Sequence, residues 1–371
     1  MNDIRSVVVK VGTSLLTPRL GEFDRKVAQS VVDALAGARR RGVEVTLVSS
    51  GAIGAGMSVL GMTERPGDLP FKQAAAAIGQ IALMRLYREL FEQCDLRVAQ
   101  VLVTREGLDD RVRYLNLRNT LRALHRLGNV VPIVNENDTV AVEEIQFGDN
   151  DTLAAMIAAK LDADLLVILT NTQGLYDRSG VSERLIEVVE KVTPKIEQYA
   201  GNTDAPESVG GMITKINAAQ IATMAGVATV ITNGRVPSAI DAALRGERIG
   251  TYFVPARQPI TTRKRWIAFG TSCRGSLVID AGACDAIMHQ GRSLLPSGII
   301  ETQGDFSVGE AVRVVRENGD EVARGLVNYS SGEIDQVRGH HTREIVNILG
   351  RQDYDEIIHR DNLVVLAEPD Q

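Results

Sequence analysis

Cysteine is scarce in this chain. Cys94, Cys273 and Cys284 are the only three among 371 residues, and they form neither a CxxC pair nor a Cys/His metal spacing. Such a sparse, odd set excludes a disulfide framework and fits a reducing cytoplasm. Long apolar runs are missing too: Leu165–Leu169 is far too short to span a bilayer. The opening residues, MNDIRSVVVK, lack the basic region, apolar stretch and cleavage site of an export signal, so a cytoplasmic location with no membrane partner is expected. No Gly-Lys dipeptide occurs anywhere, which disfavours a Walker A loop and with it the large P-loop class. Surplus positive charge is also absent, the formal net charge being -6. Residues 276–371 hold 8 basic against 17 acidic side chains, net -9, leaving residues 1–275 with 33 against 30, net +3. Nucleic acid is therefore not an expected partner, and the one basic cluster, Arg263-Lys264-Arg265, reads as solvated linker.

What is present is a globular composition, 44% hydrophobic and 24% charged, in a chain too long for one core. Over residues 1–255, short apolar β-branched runs alternate with longer amphipathic ones. Val7–Val11, Val43–Val48, Val98–Val103, Val130–Val134, Leu165–Leu169, Thr229–Ile231 and Thr251–Val254 read as strands covered on both faces. Helical patterns lie between them: one capped by Asp24 and ending at Gly42, then Gln73–Glu92, Asn116–Leu127, Asp151–Leu161 and Met212–Ala225. Strand and helix in alternation imply an α/β domain with a mainly parallel sheet, whose ligands gather at the carboxyl ends of the strands. Residues 256–275 form an Arg- and Thr-rich connector. Residues 276–371 then carry short strand-like runs between glycine turns, as in a small β barrel-like domain.

Five segments carry candidate chemistry. VVVKVGTS puts Lys10 at the end of the first strand, before a glycine turn whose amides can approach an anion. VSSGAIGAG follows the second strand, and its GxxGxG spacing is not that of a dinucleotide fingerprint; it reads either as a turn presenting Ser50 to the crevice or as glycines needed for close packing. Asn135-Glu136-Asn137-Asp138 ends a strand and Gly148-Asp149-Asn150-Asp151 begins a helix. Each alone is a cap or Asx-turn; together at one sheet edge they suit an amino group and a metal-nucleotide. Gly210-Gly211-Met212-Ile213-Thr214-Lys215 opens a helix, where a lysine in the first turn is unfavourable unless an anion is present.

Taken in order, VVVKVGTS, VSSGAIGAG, NEND, FGDND, LTNTQGLY at 169–176, GGMITK and GHHTREI at 339–345 resemble the glutamate 5-kinase family, within the amino acid kinase superfamily, over nearly the full length. The resemblance implies an open αβα sandwich followed by a PUA domain, and a reaction of ATP with L-glutamate that needs Mg²⁺ and is inhibited by proline. It makes Lys10 and Lys215 the phosphate-binding pair with Asp149 organising them, and puts Ser50, Asp138 and Asn150 on the glutamate. The nucleotide would lie along Thr170, Asn171 and the segment Val209, Gly210, Gly211, Met212, Ile213, Thr214, Lys215. Asn171 and Val209 depart from the family's usual Asp and small hydroxyl residue, which bears on nucleotide preference. A homo-oligomer and hand-off of the labile acyl phosphate to glutamyl phosphate reductase go with the same family; no metal ligand can be assigned. Kinases of the same superfamily acting on aspartate, N-acetylglutamate, carbamate or UMP would share Lys10, but not the NEND and GDND pair with the C-terminal module.

Overall fold

Strands made almost wholly of valine, leucine and isoleucine need cover on both faces, and the chain supplies it with two helical layers. The computed structural model describes residues 4–18, 22–104, 107–108, 110–140, 150–177, 183–201, 211–256, 264, 267–268 and 273–366. It divides into two compact units, Met1–Pro259 and Ile260–Gln371.

In the first unit the strands are β1 (Ser6–Val11), β2 (Glu44–Ser49), β3 (Arg97–Val103), β4 (Val130–Glu136), β5 (Leu165–Thr170), β6 (Tyr176–Asp177), β7 (Arg184–Leu185), β8 (Val188–Val189), β9 (Ala228–Asn233) and β10 (Thr251–Phe253). Eight form one sheet in the order β3-β4-β2-β1-β5-β9-β10-β8, while β6 and β7 pair separately. From β3 to β9 every pairing is parallel; β10 runs antiparallel to β9. The parallel strands therefore all deliver their carboxyl ends to one edge.

The period of two along β1 sorts its side chains. Val7, Val9 and Val11 join the core beneath the helices Arg25–Arg40 and Leu69–Glu92, whereas Val8 joins the core beneath Asn150–Leu161 and Met212–Met224. Lys10 is in phase with Val8, so it is aimed at the second layer. The two helices there carry matched small-residue stripes, Ala154-Ala155-Ala158 and Ala218-Ala219-Ala222, all buried. Each stripe stands three, four and seven positions after one charged residue, Asp151 on the first helix and Lys215 on the second. Small side chains let these helices approach, which brings both first turns over the end of β1.

On the opposite side the helix Ala52–Val59 packs against Leu69–Glu92 at near-backbone contact. A Cβ on Gly56 would fall 1.7 Å from Ala75 O, and one on Gly79 would fall 1.8 Å from Ala52 O. Gly51, at φ 99°, makes the left-handed turn into the first of these helices. The glycine-rich segment thus serves both as turn and as packing surface.

The second unit contains β11 (Gly275–Ile279), β12 (Ile299–Gly304), β13 (Ala311–Arg316), β14 (Glu321–Leu326) and β15 (Leu363–Val365), ordered β12-β11-β13-β14-β15. Its described residues include the short helices Ala281–Met288, Ser331–Val337 and Ile345–Leu349, of eight residues or fewer, too short for a helical period to register in the sequence. Leu277, Ile279, Val314, Tyr329 and Ile358 are buried in its core. Ile267 and Ala268, from the stretch read as connector, are buried with Val364 of this unit. Of the basic cluster only Lys264 is among the described residues. No helix among those residues is long and apolar enough to cross a membrane.

The helix contact makes a stability prediction. Gly79→Ala must push two backbones apart and should cost at least the 1–3 kcal/mol typical of overpacking, read as a lower melting temperature for this unit. Gly67→Ala, with nothing within 4 Å of the added Cβ, should stay within about 0.5 kcal/mol of the parent.

Candidate active site

Three buried charges meet at the carboxyl end of β1. Lys10 Nζ lies 2.5 Å from Asp151 Oδ1, and Lys215 Nζ lies 3.0 Å from Asp151 Oδ2. Thr214 Oγ1 is also 3.0 Å from Asp151 Oδ2. Burial by itself pushes the Asp151 carboxyl up; the two ammonium groups outweigh it and hold the pKa down at about 2. The carboxylate is therefore ionised throughout the working pH range. Around the triad, Gly12 opens the turn after β1, and Gly211 starts the helix Met212–Met224 with no side-chain cap among the described residues, a helix start of the kind that attracts anions.

The neighbouring residue, Asn150, turns the other way across the sheet. Its Nδ2 donates to Ser49 O at 3.2 Å, to Ser50 Oγ at 2.8 Å and to Asn135 Oδ1 at 3.1 Å. Asn135 Nδ2 donates in turn to Gln80 Oε1 at 2.9 Å. Consecutive residues at one helix start thus divide the site: Asp151 serves a cationic corner over β1, and Asn150 a hydrogen-bonding corner over β2 and β4. Asp138 lies just past β4, half-buried, and burial raises its carboxyl to about 6, with Arg65 pulling the other way.

Of the residues singled out in the sequence, the described structure gathers Lys10, Lys215, Ser50 and Asn150 at this edge, with Asp138 beyond β4. Thr170 ends β5 and Asn171 follows it, exposed; Gly211, Met212, Ile213 and Thr214 form the start of the helix carrying Lys215. Asp149, Val209 and Gly210 lie outside the described residues. The carboxylate between the lysines is Asp151, where the resemblance pointed to Asp149. The signal was in the helix period, since Asp151 and not Asp149 stands in phase with Ala154, Ala155 and Ala158. Gln80 carried no signal, being one polar residue in an alanine-rich helix. His125, the one buried histidine among the described residues, bonds Thr46 at 2.9 Å within β2 and is not among the groups gathered here.

No group of three His, Cys, Asp or Glu side chains among the described residues could hold a metal ion, and Asp151 is engaged by two lysines. The donor set among the described residues therefore does not fit a protein-held metal. Magnesium in kinases rests largely on substrate phosphates and water.

The amino acid kinase family matches residues 5–233 and the PUA domain residues 275–349. The fold is thus that of an amino acid kinase with an appended PUA domain. Glutamate 5-kinases of Caldanaerobacter subterraneus subsp. tengcongensis and Moorella thermoacetica are 49% and 50% identical over 363 and 370 residues, covering 97% and 99% of this chain and 97% and 98% of their own. That of Trichormus variabilis is 47% identical over 367 residues, 97% of this chain and 99% of its own. The chain belongs to the glutamate 5-kinase family. Among solved structures, a Giardia lamblia carbamate kinase bound to AMP-PNP covers 69% of this chain at 16% identity and a TM-score of 0.49, too distant to bear on the site.

Asp151→Asn would leave two buried ammonium groups without a counter-ion. Losing one partner of a buried pair costs about 3–5 kcal/mol, so calorimetry should show a clear fall in the melting temperature of the first unit. Because the folded-state pKa of Asp151 is depressed, its contribution is present above about pH 4 and is lost as pH falls toward 2. The gap between parent and variant should close over that range.

Proposed function

We propose that this enzyme transfers the γ-phosphoryl group of ATP to the side-chain carboxylate of L-glutamate, giving L-glutamyl 5-phosphate for proline biosynthesis. The observation that carries this reading is the carboxylate-bridged pair of buried lysines beside a buried hydrogen-bonding corner built by Ser50, Asn135 and Asn150. The curated relatives are named for the same reaction.

A glutamate side chain ordinarily titrates at about 4.3, so it is ionised at neutral pH and needs no general base. The obstacle is repulsion between two anions. Lys10 and Lys215, approaching from a strand end and a helix start, flank the phosphoryl group as it passes between oxygens, and Asp151 holds them at the required spacing. Ser50, Asn150 and Asp138 hold glutamate, with Asp138 facing its ammonium group. Thr170, Asn171 and the start of the helix Met212–Met224 take the nucleotide, whose Mg²⁺ supplies charge neutralisation on the phosphates. Proline, smaller and bearing the same ammonium and α-carboxylate groups, would compete in the amino-acid corner. A cytoplasmic homo-oligomer passing its unstable product to a reductase is consistent with this chemistry.

With ATP, Mg²⁺ and hydroxylamine, hydroxamate should accumulate from glutamate and not from N-acetylglutamate; equal rates would reassign the substrate. Lys215→Ala should lower kcat and kcat/KM together, by about a hundredfold or more, the range for lost transition-state contacts. An effect confined to KM would remove the lysine from the mechanism. The raised Asp138 makes a pH prediction: below about pH 6 its carboxyl is protonated and stops attracting the ammonium group. KM for glutamate should then rise about tenfold per pH unit, being flat above pH 7. Asp138→Asn should start with a higher KM and lose that dependence.

A further inference from the structure

Amide side chains are usually ambiguous in orientation, because oxygen and nitrogen look alike. At this site two backbone groups remove the ambiguity. Ser49 O can only accept, so the Asn150 atom 3.2 Å from it is the nitrogen Nδ2. The Glu136 N–H can only donate, so the Asn135 atom 2.9 Å from it is the oxygen Oδ1. The rest follows without choice. Asn135 presents Nδ2 to Gln80, so Gln80 answers with Oε1, at 2.9 Å. Asn150, with Nδ2 already shared among three acceptors, has its carbonyl oxygen left over. That oxygen is buried and has no hydrogen-bond partner among the described residues, on a side chain that is itself 7% exposed.

A buried acceptor without a donor costs about 1–3 kcal/mol, and such a group is normally satisfied by a ligand or water. Oδ1 can take a hydrogen bond only from a donor, so it suits an ammonium group and not a carboxylate. Ser50 is complementary. Its Oγ accepts from Asn150, which leaves its proton for a carboxylate.

We propose that Gln80 is a positioning residue for the amino-acid substrate. By accepting from Asn135 Nδ2 it locks Asn135, and through it Asn150, so that Asn150 offers its carbonyl oxygen to the substrate's ammonium group. Gln80 is itself immobilised by its neighbour: Gly79 is the glycine whose missing Cβ lets the helix Leu69–Glu92 lie against Ala52. The relay therefore runs from a helix contact, through two asparagines, to the polarity of the pocket. Without the Gln80 acceptor, Asn135 Nδ2 would be buried and unmatched, Asn135 would be free to turn, and Asn150 would lose the oxygen that aligns its amide.

This inference rests on the glutamate reading, and its test separates the two. Gln80→Met keeps the side chain's length and removes the acceptor; Gln80→Glu keeps an acceptor. In Gln80→Met, KM for glutamate should rise tenfold or more while kcat and KM for ATP stay within threefold. The inhibition constant of glutarate, which lacks the ammonium group and competes with glutamate, should also stay within threefold. Gln80→Glu should stay within threefold of the parent in glutamate KM. The inference is overturned if glutamate KM is unchanged in Gln80→Met, or if glutarate and ATP binding weaken by the same factor, as a merely structural role would require. It is overturned equally if Gln80→Glu is as poor as Gln80→Met. Failure of the glutamate reading shows earlier, as a parent enzyme that forms no hydroxamate, and takes this inference with it.

Discussion

Two ammonium groups stay charged side by side in a buried pocket only when an anion sits between them, and here that anion is one carboxylate with both oxygens engaged. Asp151 accepts Lys10 on Oδ1 and Lys215 on Oδ2. Its depressed pKa and the closeness of the two cations are the same fact seen from two sides. Everything that brings the three residues together is under this constraint: the phase of β1, the start of the helix Asn150–Leu161 and the start of Met212–Met224. The last two must approach closely, which explains alanine at the contacting positions where larger residues would add more buried area.

The arrangement also separates two tasks that an acyl-phosphate-forming kinase must perform. Cations belong where charge moves, and an ammonium-accepting corner belongs at the other end of the substrate. Because Asn150 and Asp151 are adjacent in sequence and diverge in space, a single helix start sets the distance between the corners. The glycine contact between Ala52–Val59 and Leu69–Glu92 pins the corner over β2 and β4 from the other side, through Gln80.

The second unit has its own core and its own sheet. It carries the chain's surplus of negative charge, net -9 over residues 276–371, a poor surface for phosphate backbones. Among the described residues, the hydrogen-bond and ion-pair partners of Asp151 and Asn150 belong to the first unit.

Much of this was legible in the amino-acid sequence, for physical reasons. Strands buried on both faces must be apolar throughout, so runs such as Val7–Val11 and Leu165–Leu169 could be picked out, and their alternation with helices implied a parallel sheet with its ligand edge at the carboxyl ends; Val98–Val103, read the same way, lies instead in the edge strand β3, where no residue is fully buried. Lys10, Ser50, Asn150 and Lys215 stood out as polar residues beside glycine turns at that edge, and since each alone could equally be a cap or turn, it was their joint order along the chain and the family resemblance that gave them expected roles. What tertiary structure alone decided was which of several similar groups does what. In GDND, Asp149 and Asp151 are chemically equal; the helix period puts Asp151 in phase with the alanine stripe, but only the fold brings that face to Lys10. Gln80 and Asn135 acquire meaning only once a helix far away along the chain places one amide against the other, since the orientation of an amide is set by its partners in space and by nothing in its own sequence.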